Sequence, residues 1–142
     1  MKRFTSLDSE FIERKLDAIQ LYHGRLQKVL EFSDQEIIGD FLKLHALERL
    51  IQLVVDEMID VNTHIIRHSD LETPDDFQSS FRILAEGGMF PRDFADRIAP
   101  TVGLRNRLVH RYETVDSHTL VHITRKEFDD FKTYAQHIRA CL

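Results

Sequence analysis

The segment Arg105-Asn106-Arg107-Leu108-Val109-His110-Arg111-Tyr112 places a permanent cation, a group that titrates near neutrality and a phenol within one helix-sized stretch. The arginine fork matches the geometry of a phosphate. The histidine can take or give a proton near pH 7. Together they are a minimal kit for cleaving RNA without a metal. Arg105 would polarise the phosphate and steady its growing charge. His110 would move a proton from the ribose 2′-hydroxyl or to the leaving oxygen. On a helix, Arg105 and Tyr112 share one face, Asn106 and His110 share the next, and Leu104 and Leu108 turn together to the core. Arg105 and His110 themselves lie about 140° apart around an ideal helix, so one chain makes only a loose pair. Plainer roles are available for both. Arg105 suits an ion pair to an acid on a neighbouring helix, and His110 suits a helix end, satisfying the last carbonyls.

The spacing Arg-x4-His-x-Tyr, with Gly103-Leu104 before it and Asn106 directly after the arginine, resembles the HepT-like ribonuclease toxins of the HEPN superfamily. The resemblance extends more loosely over Ala46 to Ile66 and Pro74 to Ile98. It implies an all-α, HEPN-like bundle in which Arg105 and His110 are catalytic and Asn106 and Arg107 bind or support the substrate. It also implies a homodimer, whose two-fold axis could build a tighter composite site. The implied partner is a minimal, MntA-like nucleotidyltransferase antitoxin of a type VII-like toxin–antitoxin system. That partner would transfer AMP to Tyr112. The implied substrate is RNA, with tRNA among the candidates, and no cofactor is called for. Two other readings remain open: a non-catalytic HEPN module that binds a nucleotidyltransferase, and a helical scaffold in which Arg105 and His110 are structural.

Positioning these groups falls to about five helices in one domain spanning 1–142, with no convincing strand. The first runs from about Asp8 to Phe32, carrying Phe11, Leu16, Ile19, Leu26 and Leu30. Ser33-Asp34-Gln35-Glu36 reads as a capping box that leaves almost no loop. The second helix, about Asp34 to His68, is the longest. Leu44, Leu47, Ile51, Val54, Met58, Val61 and Ile65 step 3-4-3-4 along it. A second stripe, Leu50, Val55, Ile59 and Ile66, lies beside the first. So wide a face predicts the centre of a bundle touched from two sides, with a subunit interface allowed. Thr73-Pro74-Asp75-Asp76 predicts the start of a third helix, which ends at Gly87-Gly88. A fourth helical region opens at Pro91 and is broken by Pro100, so that the motif helix runs from Pro100 to about His110. A loop from Tyr112 to Ser117 leads to a final helix, Ser117 to Ala140. A further capping-box pattern at Thr124-Arg125-Lys126-Glu127 predicts a kink within it.

The chain has 142 residues, 42% hydrophobic and 30% charged, with five Gly and three Pro. That suits one globular helical domain. The single cysteine, Cys141, excludes a disulfide within the chain and fits a reducing cytoplasm. No apolar run approaches membrane-spanning length, and Met1 to Ser6 lacks the apolar stretch of a signal peptide. Net charge is −5, which argues against a broad nucleic-acid-binding surface. Arg92 to Arg111 nevertheless holds five Arg and two Asp, a local +3 on an acidic body. That pattern suits a small anion-attracting cleft, or equally arginines scattered over solvated faces. Glu57 and Asp60, one turn apart, are expected either to hold Arg105 or orient His110, or to be surface acids with Asp60 paired to His64. His64/His68 and His118/His122 have a metal-compatible i, i+4 spacing. Neither pair has the glutamate of His-Glu-x-x-His, so no metal site is expected.

Overall fold

A computed structural model describes residues 4–110 and 115–142. These form seven helices and no strand: α1 (Ser6–Leu30), α2 (Asp34–Ile38), α3 (Phe41–Arg67), α4 (Ser79–Glu86), α5 (Arg92–Ile98), α6 (Pro100–Val109) and α7 (Ser117–Ala140). The all-α expectation holds; α5 and α6 divide at the expected Pro100 break, while α2 and α3 divide at Gly39–Asp40, a break that the periodicity did not reveal. No described helix is long and apolar enough to cross a membrane.

The two stripes of the long helix are both buried within one chain. Leu47, Val54, Val55, Met58 and Val61 are fully inaccessible, and Leu50, Ile59 and Ile66 nearly so. Helix α3 packs against α1, α2, α4, α6 and α7, which accounts for its width. It does not begin at Asp34. The Ser33 box forms as expected, with Ser33 Oγ accepting from Glu36 N at 3.1 Å and Glu36 Oε1 accepting from Ser33 N at 3.1 Å. It starts only the five-residue α2. The chain then turns at Gly39, and Asp40 caps a new helix by accepting from Leu42 N at 2.9 Å. Asp40 competes with the helical backbone for that N–H, which is why the break falls there.

Helix α1 begins earlier than Asp8. Thr5 is its N-cap, and Thr5 and Asp8 form a second capping box. Those bonds, with a further one from His64, hold the Asp8 carboxyl down to about 2. Asp8 meets His64, and Lys15 meets Glu57 and Asp60, so α1 runs antiparallel to α3.

The third helix starts at Ser79, not at Thr73. Asp76 Oδ1 accepts from Ser79 N at 2.7 Å, and Ser69 Oγ bonds to both Ile66 O and Leu71 N. These local side-chain bonds hold 69–78 as irregular chain. Its other end is the predicted glycine stop. Gly88 is left-handed at φ 83, and Met89 N donates back to Leu84 O at 3.0 Å. At Gly87 a Cβ would come within 3.0 Å of the Leu71 side chain, so this glycine lets the 69–78 segment close on α4. Helix α7 is unbroken across the expected kink. Thr124 is buried and its hydroxyl donates back to Leu120 O at 2.7 Å, so it cannot cap a new turn.

Candidate active site

Pro100 starts α6, its missing N–H falling where no intrahelical bond is available. Thr101, Val102 and Leu104 are buried and fasten α6 onto α3 and α5. Burying Val102 and Leu104 contributes about 1.5–3 kcal/mol each. That anchor leaves Arg105 and Asn106 half-exposed along one edge and Arg107 exposed.

Arg105 meets an acid on α3, but not either of the two expected. Its Nε donates to Asp56 Oδ1 at 2.6 Å, and its Nη1 donates to Asn106 Oδ1 at 3.0 Å. Glu57 and Asp60 are turned to α1, where both pair with Lys15, at 3.3 and 2.9 Å. Neither bonds to Arg105, and Asp60 does not pair with His64, which bonds to Asp8 at 2.8 Å. Asp56 is therefore the residue that sequence reasoning missed. It sits one 100° step from Glu57, and choosing between them requires knowing which side of α3 receives α6. With two of its five N–H groups used, Arg105 keeps three donors, including both on Nη2, with no acceptor among the described residues. A phosphate can take them in the fork geometry while Asp56 fixes the guanidinium plane.

His110 is the C-cap of α6, exposed, with extended backbone (φ −89, ψ 96) and its N–H donating to Asn106 O at 3.0 Å. It has left helical geometry, so the ideal-helix angle to Arg105 does not govern where its ring points. Tyr112 lies outside the described residues. A Cβ at Gly103 would meet no atom within 4 Å, so nothing among the described residues demands glycine there.

The local positive charge is smaller than the sequence suggests. Arg97 pairs with Asp130 at 3.4 Å and Arg105 with Asp56 at 2.6 Å, two acids from outside the segment, while Arg92 pairs at 3.2 Å with Asp96, already counted within it. Arg107 has no ion-pair partner among the described residues. Two clefts flank α6. One, of about 790 Å³, lies between α6, the end of α3 and the 69–78 segment, bordered by Asn106, Val102, Thr63, Arg67 and Phe77. The other, of about 450 Å³, is bordered by Arg107, Leu104, Arg97, Lys126 and Glu127. Glu127 is buried, and burial, reinforced by the nearby Asp130 carboxylate, pushes its carboxyl up to about 7. The motif edge thus offers a fixed guanidinium, a histidine at a helix end and an open cleft beside Asn106. These are the parts required for phosphate binding and proton transfer.

The model of the family described as "Ribonuclease HepT-like" matches residues 19–138. A tRNA nuclease HepT of Aphanizomenon flos-aquae is 30% identical over 141 residues, covering 97% of this chain and 94% of that protein. An mRNA nuclease HepT of Shewanella oneidensis is 27% identical over 132 residues, covering 93% and 98%. Among solved structures, a tri-AMPylated Shewanella oneidensis HEPN toxin in complex with MNT antitoxin superposes with a TM-score of 0.83 at 28% identity, covering 92% of this chain and 97% of that one. A toxin–antitoxin crystal structure with AMP-PNP gives a TM-score of 0.84 at 27% identity, covering 92% and 98%. With the family model spanning most of its length and these folds matching along it, the chain belongs to the HepT-like ribonuclease family.

Proposed function

We propose that this chain is the toxin of a toxin–antitoxin pair and cleaves RNA internally without a metal. The observation that carries the reading is Arg105, clamped by Asp56 and Asn106 with three donors unspent among the described residues, five residues before His110 in a HepT-like chain. Arg105 binds the scissile phosphate and stabilises its developing charge. His110 transfers the proton. Attack by the ribose 2′-hydroxyl on phosphorus expels the 5′-oxygen of the next nucleotide and leaves a 2′,3′-cyclic phosphate. Asn106 holds the guanidinium, and Arg107 supplies a further cation for the RNA backbone. The protein works as a cytoplasmic homodimer with the 92–111 segment at or beside the two-fold axis. Gly103 supports that placement. Mid-helix glycine costs about 0.5–1 kcal/mol relative to alanine, and no neighbour among the described residues requires it. The partner is a nucleotidyltransferase antitoxin of the MntA kind. AMP attached to Tyr112 would set a phosphate against the incoming RNA phosphate and a nucleoside in its path.

The test is cleavage by the purified protein, free of partner and in EDTA. Wild type should release 2′,3′-cyclic ends. Arg105→Ala and His110→Ala should each lower the rate by about 10²–10⁴-fold while staying folded. Mixing the two inactive variants should restore cleavage if the site is shared between subunits. Incubation with the antitoxin and ATP should add AMP to wild type and none to Tyr112→Phe, read by intact mass. A folded protein that cleaves nothing is a binding module instead, and full activity in His110→Ala removes the mechanism.

A further inference from the structure

Asp8, His64 and His68 bring one ligand atom each to within 4.8 Å of one another, near the C-terminal end of α3. The sequence shows only the i, i+4 histidine pair; the third donor arrives because α1 runs antiparallel to α3. We propose that these three residues bind a divalent first-row transition-metal ion of the Zn²⁺ type, clamping the start of α1 to the end of α3.

Three features of the cluster suit that role. Two imidazoles and one carboxylate form a nitrogen-rich set that favours Zn²⁺ or Ni²⁺ over Mg²⁺ or Ca²⁺, which take oxygen ligands. The donors are held from behind. Asp8 Oδ2 accepts from Thr5 N at 3.1 Å and Thr5 Oγ1 at 2.8 Å, leaving Oδ1 turned to His64, while Phe11 stacks on the His64 ring at 4.4 Å. Such outer bonds orient ligands before an ion arrives. The site is also open on one side. The Asp8 and His64 side chains are 15% and 17% exposed, and His68, the C-cap of α3, is exposed with its ring 4.4 Å from that of His64. Three protein ligands leave a fourth position for water.

In the metal-free chain, His64 Nε2 and Asp8 Oδ1 share a proton at 2.8 Å. Tetrahedral bonds of about 2.0–2.1 Å set donor atoms about 3.3 Å apart, so the Asp8–His64 pair must spread by about half an ångström, while the His68 donor, within 4.8 Å of both, swings to the same spacing. The ion takes the Nε2 lone pair, and the displaced proton passes to Nδ1 of the neutral ring or, from a protonated ring, to solvent. Eight residues of α3 separate His64 from Asp56, about 12 Å along the axis, so the ion is structural and stands apart from RNA cleavage.

Untagged protein, stripped with EDTA, would be titrated with Zn²⁺ by equilibrium dialysis, and with Co²⁺ while following its visible absorption. One ion per chain is expected, with the intense visible bands of a four-coordinate site. Saturating Zn²⁺, about a hundredfold above Kd, should raise Tm by roughly 5–10 °C. His68→Ala, an exposed position that leaves packing intact, should weaken binding about tenfold or more, as should His64→Gln. His118→Ala should change nothing. No binding at micromolar Zn²⁺ overturns the proposal. So does binding that survives both His68→Ala and His64→Gln, and so does binding lost in His118→Ala, which would place the ion on the other histidine pair. None of these readouts depends on ribonuclease activity.

Discussion

Helix α3 carries two polar clusters that use similar side chains in opposite surroundings. At one, Asn62 is completely buried. It accepts from the Tyr134 hydroxyl of α7, and its Nδ2 donates to Ser80 Oγ of α4 at 2.9 Å. Ser80 Oγ in turn donates to Phe77 O at 2.6 Å. The Met58 carbonyl lies 3.2 Å from the same hydroxyl. Each polar atom has a partner and no water reaches them; burial alone holds the Tyr134 phenol well above its ordinary range. At the other, Asp56, Arg105 and Asn106 are half-exposed, and among the described residues Arg105 keeps donors to spare. A closed network fixes which helices meet, because leaving any member unpaired is costly. An open one leaves charge and hydrogen-bonding capacity for something outside the chain. The difference lies in solvent access and unspent donors, not in residue type.

The comparison breaks most visibly at Asn62. Asn62→Ala removes one acceptor and one donor from a sealed site and leaves a cavity, which should cost about 2–3 kcal/mol. For a chain of this size that is a Tm lower by roughly 5–10 °C in a thermal melt. RNA cleavage per folded molecule, measured well below the melt, should be unchanged. A large loss of activity at unchanged stability would show that the closed cluster serves the site directly.

Asp56→Asn should do the reverse. The Arg105 ion pair is partly solvated and contributes at most about 1 kcal/mol to folding, so Tm should hardly move. The guanidinium would lose the partner that fixes its plane. Cleavage should fall about tenfold, mainly in kcat, because misdirection costs more in the transition state than in RNA binding. Equal changes in stability for Asp56→Asn and Asn62→Ala would erase the distinction between the two clusters.

The sequence made some of this legible and hid the rest for definable reasons. The two apolar stripes of α3, the Ser33 box, the glycine stop at 87–88 and the Pro100 break were each readable because they are local: period, cap and φ preference act within a few residues. The break at Gly39–Asp40 was hidden because apolar periodicity continues across it. Thr73-Pro74-Asp75-Asp76 imitates a helix start that Asp76 and Ser69 divert through side-chain bonds. Arg105, Asn106 and His110 were singled out as candidates through their spacing and the family resemblance that it carries. Choosing among Asp56, Glu57 and Asp60 depends on which neighbour each side of α3 faces, and that is tertiary information. The same holds for Asp8, which completes the His64/His68 cluster from 56 residues away.

Glu127 tests an intermediate case. It is buried as Asn62 is, yet it borders the cleft that Arg107 also lines. Its folded-state carboxyl sits at about 7, above the ordinary 4.5, because of burial first and the Asp130 carboxylate second, with Lys126 and Arg97 opposing. The folded chain therefore holds this proton more tightly than the unfolded chain. The stabilising contribution is complete below about pH 4.5 and is lost as pH rises towards 7. Above that, the folded protein carries an ionised carboxylate with one oxygen lacking any hydrogen-bond partner. The full shift would correspond to about 3 kcal/mol. Water in the adjoining cleft screens it, so the realised effect should be about 1 kcal/mol. Glu127→Gln keeps the shape and cannot ionise. Denaturant melts should find it about 1 kcal/mol more stable than wild type at pH 8, with the advantage disappearing by pH 5. A difference that stays constant across that range would mean that Glu127 is ionised throughout and already satisfied, as the open cluster is. The boundary between sealed and solvated chemistry would then lie deeper in the bundle than this residue.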